Sequence, residues 1–359
     1  MGTKKMQFTK KLLQWNSKIN NRLMPWKGEK NPYKIWLSEI ILQQTRVEQG
    51  WDYYNRFVTT FPTIEKLAKA PETKVFKLWE GLGYYTRCKN LIATAKFISK
   101  ECKGEFPDNY EAILNLKGVG PYTAAAIASF AYNLPHAVVD GNVFRVLSRF
   151  FANNIAIDST DGKKIFTQLA NELLDKKKPG IYNQALMDFG AVVCKPKLPL
   201  CKQCPLQSSC GAYLKGLVDV LPVKEKKIIK KTRCFFYFII EHDDKVYVRK
   251  RGSKDIWENL YEFVLIEAPE VTDLEQLKKL AAYKALFGKV AYTIQTISKL
   301  YSQKLTHQII QGQFIKIKIE KKQEVTGYQA VLQTKLAALP FPKLITTYLK
   351  DKNVSLNLL

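Results

Sequence analysis

Apolar residues recur at helical spacing through most of the first 217 positions. Residues 8–20, 32–49, 75–82, 91–100, 110–116, 121–131, 143–151 and 162–174 each set an apolar face against polar neighbours, with short breaks between. This pattern predicts an all-α domain over residues 1–217. Residues 223–233 then carry six basic side chains and one acid with no helical face, so 218–232 read as a basic interdomain linker. Beyond it the period changes. Residues 234–240 form a β-branched and aromatic run, His242-Asp243-Asp244 offers a turn, and 245–249 alternate, which predicts a hairpin. Ile315, Ile317 and Ile319 alternate with Lys316 and Lys318, the signature of a half-buried strand. Residues 233–350 are therefore expected to form a second, α+β domain.

A chain of 359 residues has room for two such domains, each with its own core. No apolar run reaches the ~18 residues that a membrane span needs. The formal charge of +25 points to a polyanionic partner, and nucleic acid is the commonest one. A basic ribosome-associated or membrane-surface protein is the other class that such a charge fits. The N-terminus has no secretory signal pattern and the seven cysteines are an odd number, so a disulfide framework is not expected. Free thiols at Cys88, Cys102 and Cys234 suit a reducing cytoplasm; in a bacterium the protein is expected on the nucleoid.

Cys194, Cys201, Cys204 and Cys210 lie within 17 residues (194–210), spaced C-x6-C-x2-C-x5-C. Soft ligands gathered this tightly hold a metal or an iron–sulfur cluster. The spacing is asymmetric and lacks the paired C-x2-C knuckles of a structural zinc site, which favours a 4Fe–4S cluster over zinc.

Residues 116–124 read Leu-Lys-Gly-Val-Gly-Pro-Tyr-Thr-Ala. A helix ending at Leu116, a turn built on Gly118 and Gly120, and Pro121 at a first helical position make a helix–hairpin–helix. The amides of such a turn can grip one phosphate regardless of base sequence. In Ile-Trp-Leu-Ser-Glu-Ile-Ile-Leu-Gln-Gln-Thr (35–45), Glu39 is the sole ionisable side chain. It is either an exposed glutamate on a core-facing helix or a desolvated general acid. Asp140 opens the next helix, where it can cap or serve a site. One protonated and one ionised carboxyl group are what cleavage of a glycosidic bond requires.

Together S-E-I-I-L-Q-Q-T-R-V, G-L-G-Y-Y, L-K-G-V-G-P-Y-T-A, V-D-G-N-V-F-R-V-L-S-R and the cysteine run resemble the MutY-type adenine DNA glycosylases of the endonuclease III superfamily. The resemblance is close over residues 15–225. It implies removal of adenine mispaired with 8-oxoguanine or guanine in double-stranded DNA, a 4Fe–4S cofactor, and action as a monomer. It implies that Glu39 is the catalytic acid, that Asp140 is the oxocarbenium stabiliser or nucleophile, and that Tyr122 and Asn142 bond around the carboxylates. Gln44, Tyr84 and Leu82 are implied at the opened base pair, and Arg22 and Trp26 at the adenine pocket, with Lys27 where some relatives carry arginine. Relatives that also nick DNA carry a lysine where this chain has Tyr122, so a monofunctional enzyme is implied. Lys195, Lys197 and Lys202 suit phosphate contact. Residues 233–350 resemble, more loosely, the Nudix-like domain fused to these cores. Thr306 and His307 align there with a loop that reads 8-oxoguanine. The competing classes are an endonuclease III-like glycosylase/lyase and a catalytically silent damage-binding protein.

Overall fold

Helices succeed one another from the start of the chain: α1 (Gly2–Lys18), α2 (Pro32–Leu42), α3 (Val47–Thr60), α4 (Ile64–Lys69), α5 (Glu72–Trp79), α6 (Tyr85–Glu101), α7 (Tyr110–Leu114), α8 (Pro121–Tyr132), α9 (Gly141–Phe151), α10 (Thr160–Leu173), α11 (Pro179–Val192) and α12 (Gly211–Leu214). This computed structural model describes residues 2–225, 229–253, 255–288, 290–321 and 324–351; part of the expected linker, 226–228, lies outside them. The chain divides into two units, Met1–Lys69 with Lys89–Lys226, and Ala70–Cys88 with Lys227–Leu359. A single boundary near residue 217 does not anticipate that α5 groups with the C-terminal unit.

The expected stretch 32–49 is two helices. Gln44 takes a left-handed φ of 57°, so the chain leaves α2 and restarts at Val47. The short α4 and α12 fall outside the predicted stretches, and most of α3 and all of α11 do so for opposite reasons. Of α3 only Gly50, Tyr54 and Phe57 are buried, a stripe too narrow to stand out among polar neighbours. α11 is buried on nearly every side, so it has no polar face to mark the period.

In the helical unit, Phe8, Leu12 and Trp15 of α1 pack with Val146, Leu147 and Phe150 of α9 and with Tyr182 and Phe189 of α11. The start of the chain thus closes over the helix that Asp140 opens. Each such large apolar side chain contributes about 1.5–3 kcal/mol by leaving water. In α8, Ala124, Ala125, Ala126 and Ala128 are buried, and these small side chains let α2 pack close against it.

The other unit is built on a sheet of β1 (Lys231–His242), β2 (Lys245–Lys250) and β3 (Tyr261–Ala268), then, after α13 (Leu274–Lys279) and α14 (Ala281–Phe287), β4 (Tyr292–Ile297), β5 (Tyr301–Lys304), β6 (Gln308–Ile319) and β7 (Gln329–Leu332), with α15 (Lys343–Leu349) last. The order is β4-β6-β1-β3-β2-β7, with β5 on β6 and β1 parallel to β6 from Lys231↔Gln308 to Glu241↔Lys318. One face of β1 (Phe236, Phe238, Ile240) meets Leu277, Tyr283 and Phe287 of α13 and α14. On the other face Tyr237 stacks on Phe314, which stacks on Tyr348 of α15. Both faces are covered, which is why β1 reads as an unbroken apolar run. Ile315, Ile317 and Ile319 are buried, with Lys318 exposed between them, as the alternation predicts. The expected hairpin forms between β1 and β2, with Asp243 left-handed at φ 53°. Among the described residues, no helix is long and apolar enough to cross a membrane.

Candidate active site

Local rules place Glu39. The Asn31 side chain accepts from Lys34 N at 3.2 Å and Pro32 takes the first turn, so α2 begins at a strong start signal. From Tyr33 to Ile41, α2 is buried apart from the half-buried Lys34, and Glu39 is only 4% exposed. Its carboxyl group is hydrogen-bonded to Tyr122, while Oε2 has no hydrogen-bond partner among the described residues. Burial pushes its pKa up to about 7; the Tyr122 bond opposes this and the Asp140 charge adds to it. This acid is half protonated near neutrality.

Tyr122 comes from the hairpin. Val119 N donates to Leu116 O at 3.0 Å, and Gly118 sits at φ 80°, a conformation that a side chain resists. A Cβ at Gly118 would also lie 2.7 Å from Asn90 Cβ. Gly120 differs: it is extended (φ −102°, ψ 176°), caps α8, and has open space where a Cβ would stand. Only Gly118 is required by the turn; Gly120 leaves its backbone uncovered.

Asp140 does cap a helix. Its Oδ1 accepts from Val143 N at 2.7 Å and its Oδ2 from Asn142 Nδ2 at 2.6 Å. Burial still raises its pKa, with the Val143 amide, Asn142 and the charge of Arg145 pulling the other way. Behind it, Asn142 Oδ1 accepts from Arg145 Nη2 at 2.8 Å, and that same nitrogen donates to Gly190 O at 2.7 Å. Arg145 Nε donates to Cys194 O at 2.8 Å. The Arg145 guanidinium, outside the sequence candidates, therefore joins Asn142, and through it Asp140, to the first cysteine.

A pocket of about 190 Å³ opens beside Glu39, walled by Trp26, Lys27, Ile35, Ser38, Phe130 and Gln184 among others. Trp26 is fixed edge-on to Tyr54 at 5.3 Å. Unlike Trp26, Arg22 is not among the residues lining this pocket; it is held by Asp188, a fully buried carboxylate outside the sequence candidates. Asp188 accepts from Arg22 Nη1 (3.0 Å), Lys27 Nζ (2.9 Å), Asn20 Nδ2 (2.9 Å) and Gln184 Nε2 (3.0 Å). A lone acid in an apolar helix was the available signal, the same one that marks Glu39.

Cys194, Cys201, Cys204 and Cys210 line one small cavity with Val193, Leu200, Tyr213 and Val218. None is in a disulfide. Burial and the neighbouring sulfurs raise the Cys204 thiol to about 12, and the thiols of Cys201 and Cys210 rise for the same reasons. Arg149 Nη1 lies 3.6 Å from Cys194 Sγ and also donates to Lys195 O at 2.8 Å. Among the described residues, no three metal-ligating side chains converge closely enough for a single ion; the four thiols instead share this cavity.

The remaining sequence candidates lie elsewhere. Gln44 follows α2 in the helical unit. Leu82, Tyr84, Thr306 and His307 belong to the sheet unit, where the hydroxyls of Tyr84 and Thr306 are 2.8 Å apart. Thr306 is half-buried and His307 exposed, in the turn between β5 and β6.

Residues 37–175 match the model of HhH-GPD superfamily base excision DNA repair proteins, and residues 236–351 match the NUDIX domain. The hairpin, the buried acid and its pocket thus sit in a fold of the base-excision DNA glycosylase class. Over 258 residues the chain is 37% identical to the adenine DNA glycosylase of Buchnera aphidicola subsp. Baizongia pistaciae, covering 71% of this chain and 73% of that one. It is 41% identical to the adenine DNA glycosylase of Schizosaccharomyces pombe over 229 residues, 58% of this chain and 49% of that one. A solved thermostable thymine-DNA glycosylase superimposes with a TM-score of 0.56 at 30% identity, covering 60% of this chain and 98% of that one. The chain belongs to the adenine DNA glycosylase family.

Proposed function

We propose that this glycosylase excises adenine opposite 8-oxoguanine or guanine in duplex DNA, by hydrolysis and without cutting the strand. The observation that carries the reading is Glu39: a buried acid titrating near 7, with one carboxyl oxygen free, on the wall of a pocket. The hairpin around Gly118 and Gly120 holds the backbone, and the target base leaves the stack for the pocket of Trp26 and Lys27. Glu39 donates its proton to the adenine ring, by family likeness at N7. As the glycosidic bond opens, Asp140 faces the sugar cation as a carboxylate, held by the Val143 amide and Asn142. Glu39, now ionised, takes a proton from the attacking water. Tyr122 hydrogen-bonds the acid and, as a phenol, forms no imine with the sugar.

The four cysteine thiols around one cavity, with Arg149 beside Cys194, fit a 4Fe–4S cluster. When bound, such a cluster supplies a rigid crosslink for the loop 194–210. Thr306 and His307 are assigned to the base opposite the adenine. Single-turnover base release from duplexes holding A opposite 8-oxoguanine, A opposite G, or thymine glycol tests the reading. Release of adenine from the first two supports it; release of thymine glycol with neither mispair cleaved refutes it.

A further inference from the structure

The segment Ala70–Cys88 lies inside the stretch that matches the helix–hairpin–helix family, yet it packs with the sheet unit. Two side chains at the end of α5 make the attachment. Glu80 Oε1 accepts from Phe341 N at 2.8 Å. Lys77 Nζ donates to Leu339 O at 3.0 Å and to Glu80 Oε2 at 2.9 Å. The ion pair therefore straddles Pro340 and takes one backbone group on either side of it. This strap is itself anchored: Tyr261 N of β3 donates to Pro340 O at 2.8 Å, and Phe341 is buried against Phe263 at 5.5 Å.

Directly after Glu80 comes the turn Gly81-Leu82-Gly83-Tyr84, with Gly81, Gly83 and Tyr84 all left-handed. It is held in shape by Trp79 Nε1 donating to Gly83 O at 2.9 Å and by Arg87 lying over both Trp79 and Tyr84. Its far end, Tyr84, meets Thr306 of the β5–β6 turn at 2.8 Å. The turn is thus fastened to the sheet unit at both ends, by Glu80 on the strap and by Tyr84 on the hairpin.

From this geometry we infer that Glu80, supported by Lys77, is a positioning residue for discrimination of the opposite base. It holds the 81–84 turn in register with Thr306, so that the turn acts as part of the reading surface. The inference rests on the assignment of Thr306 and His307 to that base. A carboxylate serves here because it accepts an amide hydrogen and balances Lys77 in one place.

The test is a double-mutant cycle on the full-length protein, read as the ratio of base release from A·8-oxoguanine to that from A·G. Glu80→Ala should lower the ratio about three- to tenfold, the scale of one or two lost hydrogen bonds, with release from A·G unchanged. Glu80→Gln, which can still accept from Phe341 N, should restore most of the ratio and guards against a folding defect. Because both groups act through one turn, Glu80→Ala combined with Thr306→Ala should lose no more than the larger single effect. Independent, multiplying effects overturn the inference and leave the assignment of Thr306 standing. A ratio that responds to Thr306→Ala but not to Glu80→Ala does the same. A ratio unmoved by either substitution removes the opposite-base assignment, and this inference with it.

Discussion

Substituting Glu39 by glutamine should have opposite effects on rate and stability, and the structure sets both magnitudes. Raising this carboxyl from its ordinary 4.5 to about 7 lifts its protonated fraction at pH 7 from about 0.3% to about half, a gain of roughly 150-fold in the acid form. Glutamine keeps the shape and has no such proton, so base release should fall by at least about a hundredfold while DNA binding is retained. The stability effect runs the other way. The folded-state pKa lies above the unfolded one, so whatever the group contributes is intact below about 4.5 and is lost as pH rises through about 7. The buried ionised form then costs the native state up to about 3 kcal/mol, since one pKa unit corresponds to about 1.4 kcal/mol. Glu39→Gln should therefore denature later than the native protein above about pH 7 and equally near about pH 4. Single-turnover kinetics across pH gives the first test. Native release should fall about tenfold per pH unit above about pH 7 as Glu39 ionises, and should also fall at acid pH as Asp140, whose pKa burial raises, takes up a proton. Urea titration at the two pH extremes gives the second. Near-normal release by Glu39→Gln, or a native rate undiminished at about pH 9, would sink the assignment of this acid.

Four further outcomes are expected. The purified protein should absorb broadly near ~400 nm and carry about four irons per chain; stoichiometric zinc without iron after anaerobic preparation would contradict the cluster. Borohydride should trap little enzyme–DNA adduct with Tyr122 in place, whereas Tyr122→Lys should gain trapping; efficient trapping by the native protein would reveal another amine nucleophile. Asp188→Ala leaves Arg22 and Lys27 without their shared acceptor. It should cost about 1–3 kcal/mol in denaturant titration and slow adenine release, and unchanged values for both would remove Asp188 from the pocket's support. Replacing Thr306 and His307 together by alanine should cut the preference for 8-oxoguanine over guanine about tenfold with A·G chemistry nearly intact, and an unchanged ratio would place recognition elsewhere.

Much of the candidate site is legible in order along the chain. Glu39 stands out because an acid among Ile, Trp and Leu must be either buried or misplaced, and Asp140 because it precedes a helix at a capping position. The hairpin and the cysteine spacing are local strings with local geometry. Asp188 is not legible in the same way, since α11 is buried on most sides and has no exposed polar face to mark its period. Arg145 escaped because a basic residue in a helix of a +25 protein attracts no notice.

The sequence by itself determined the helical period before the linker, the alternation after it, the hairpin turn and the gathered cysteines, because each depends on neighbours within a few residues. The tertiary structure alone decided that Glu39 and Asp140 share one desolvated site through Tyr122, and that Asp188 collects four donors. It also decided that the α5 segment packs with the sheet unit. These follow from the loss of water between segments far apart in the chain. A proton's affinity for a carboxyl group depends on what covers it, and no local pattern records which distant segment that will be.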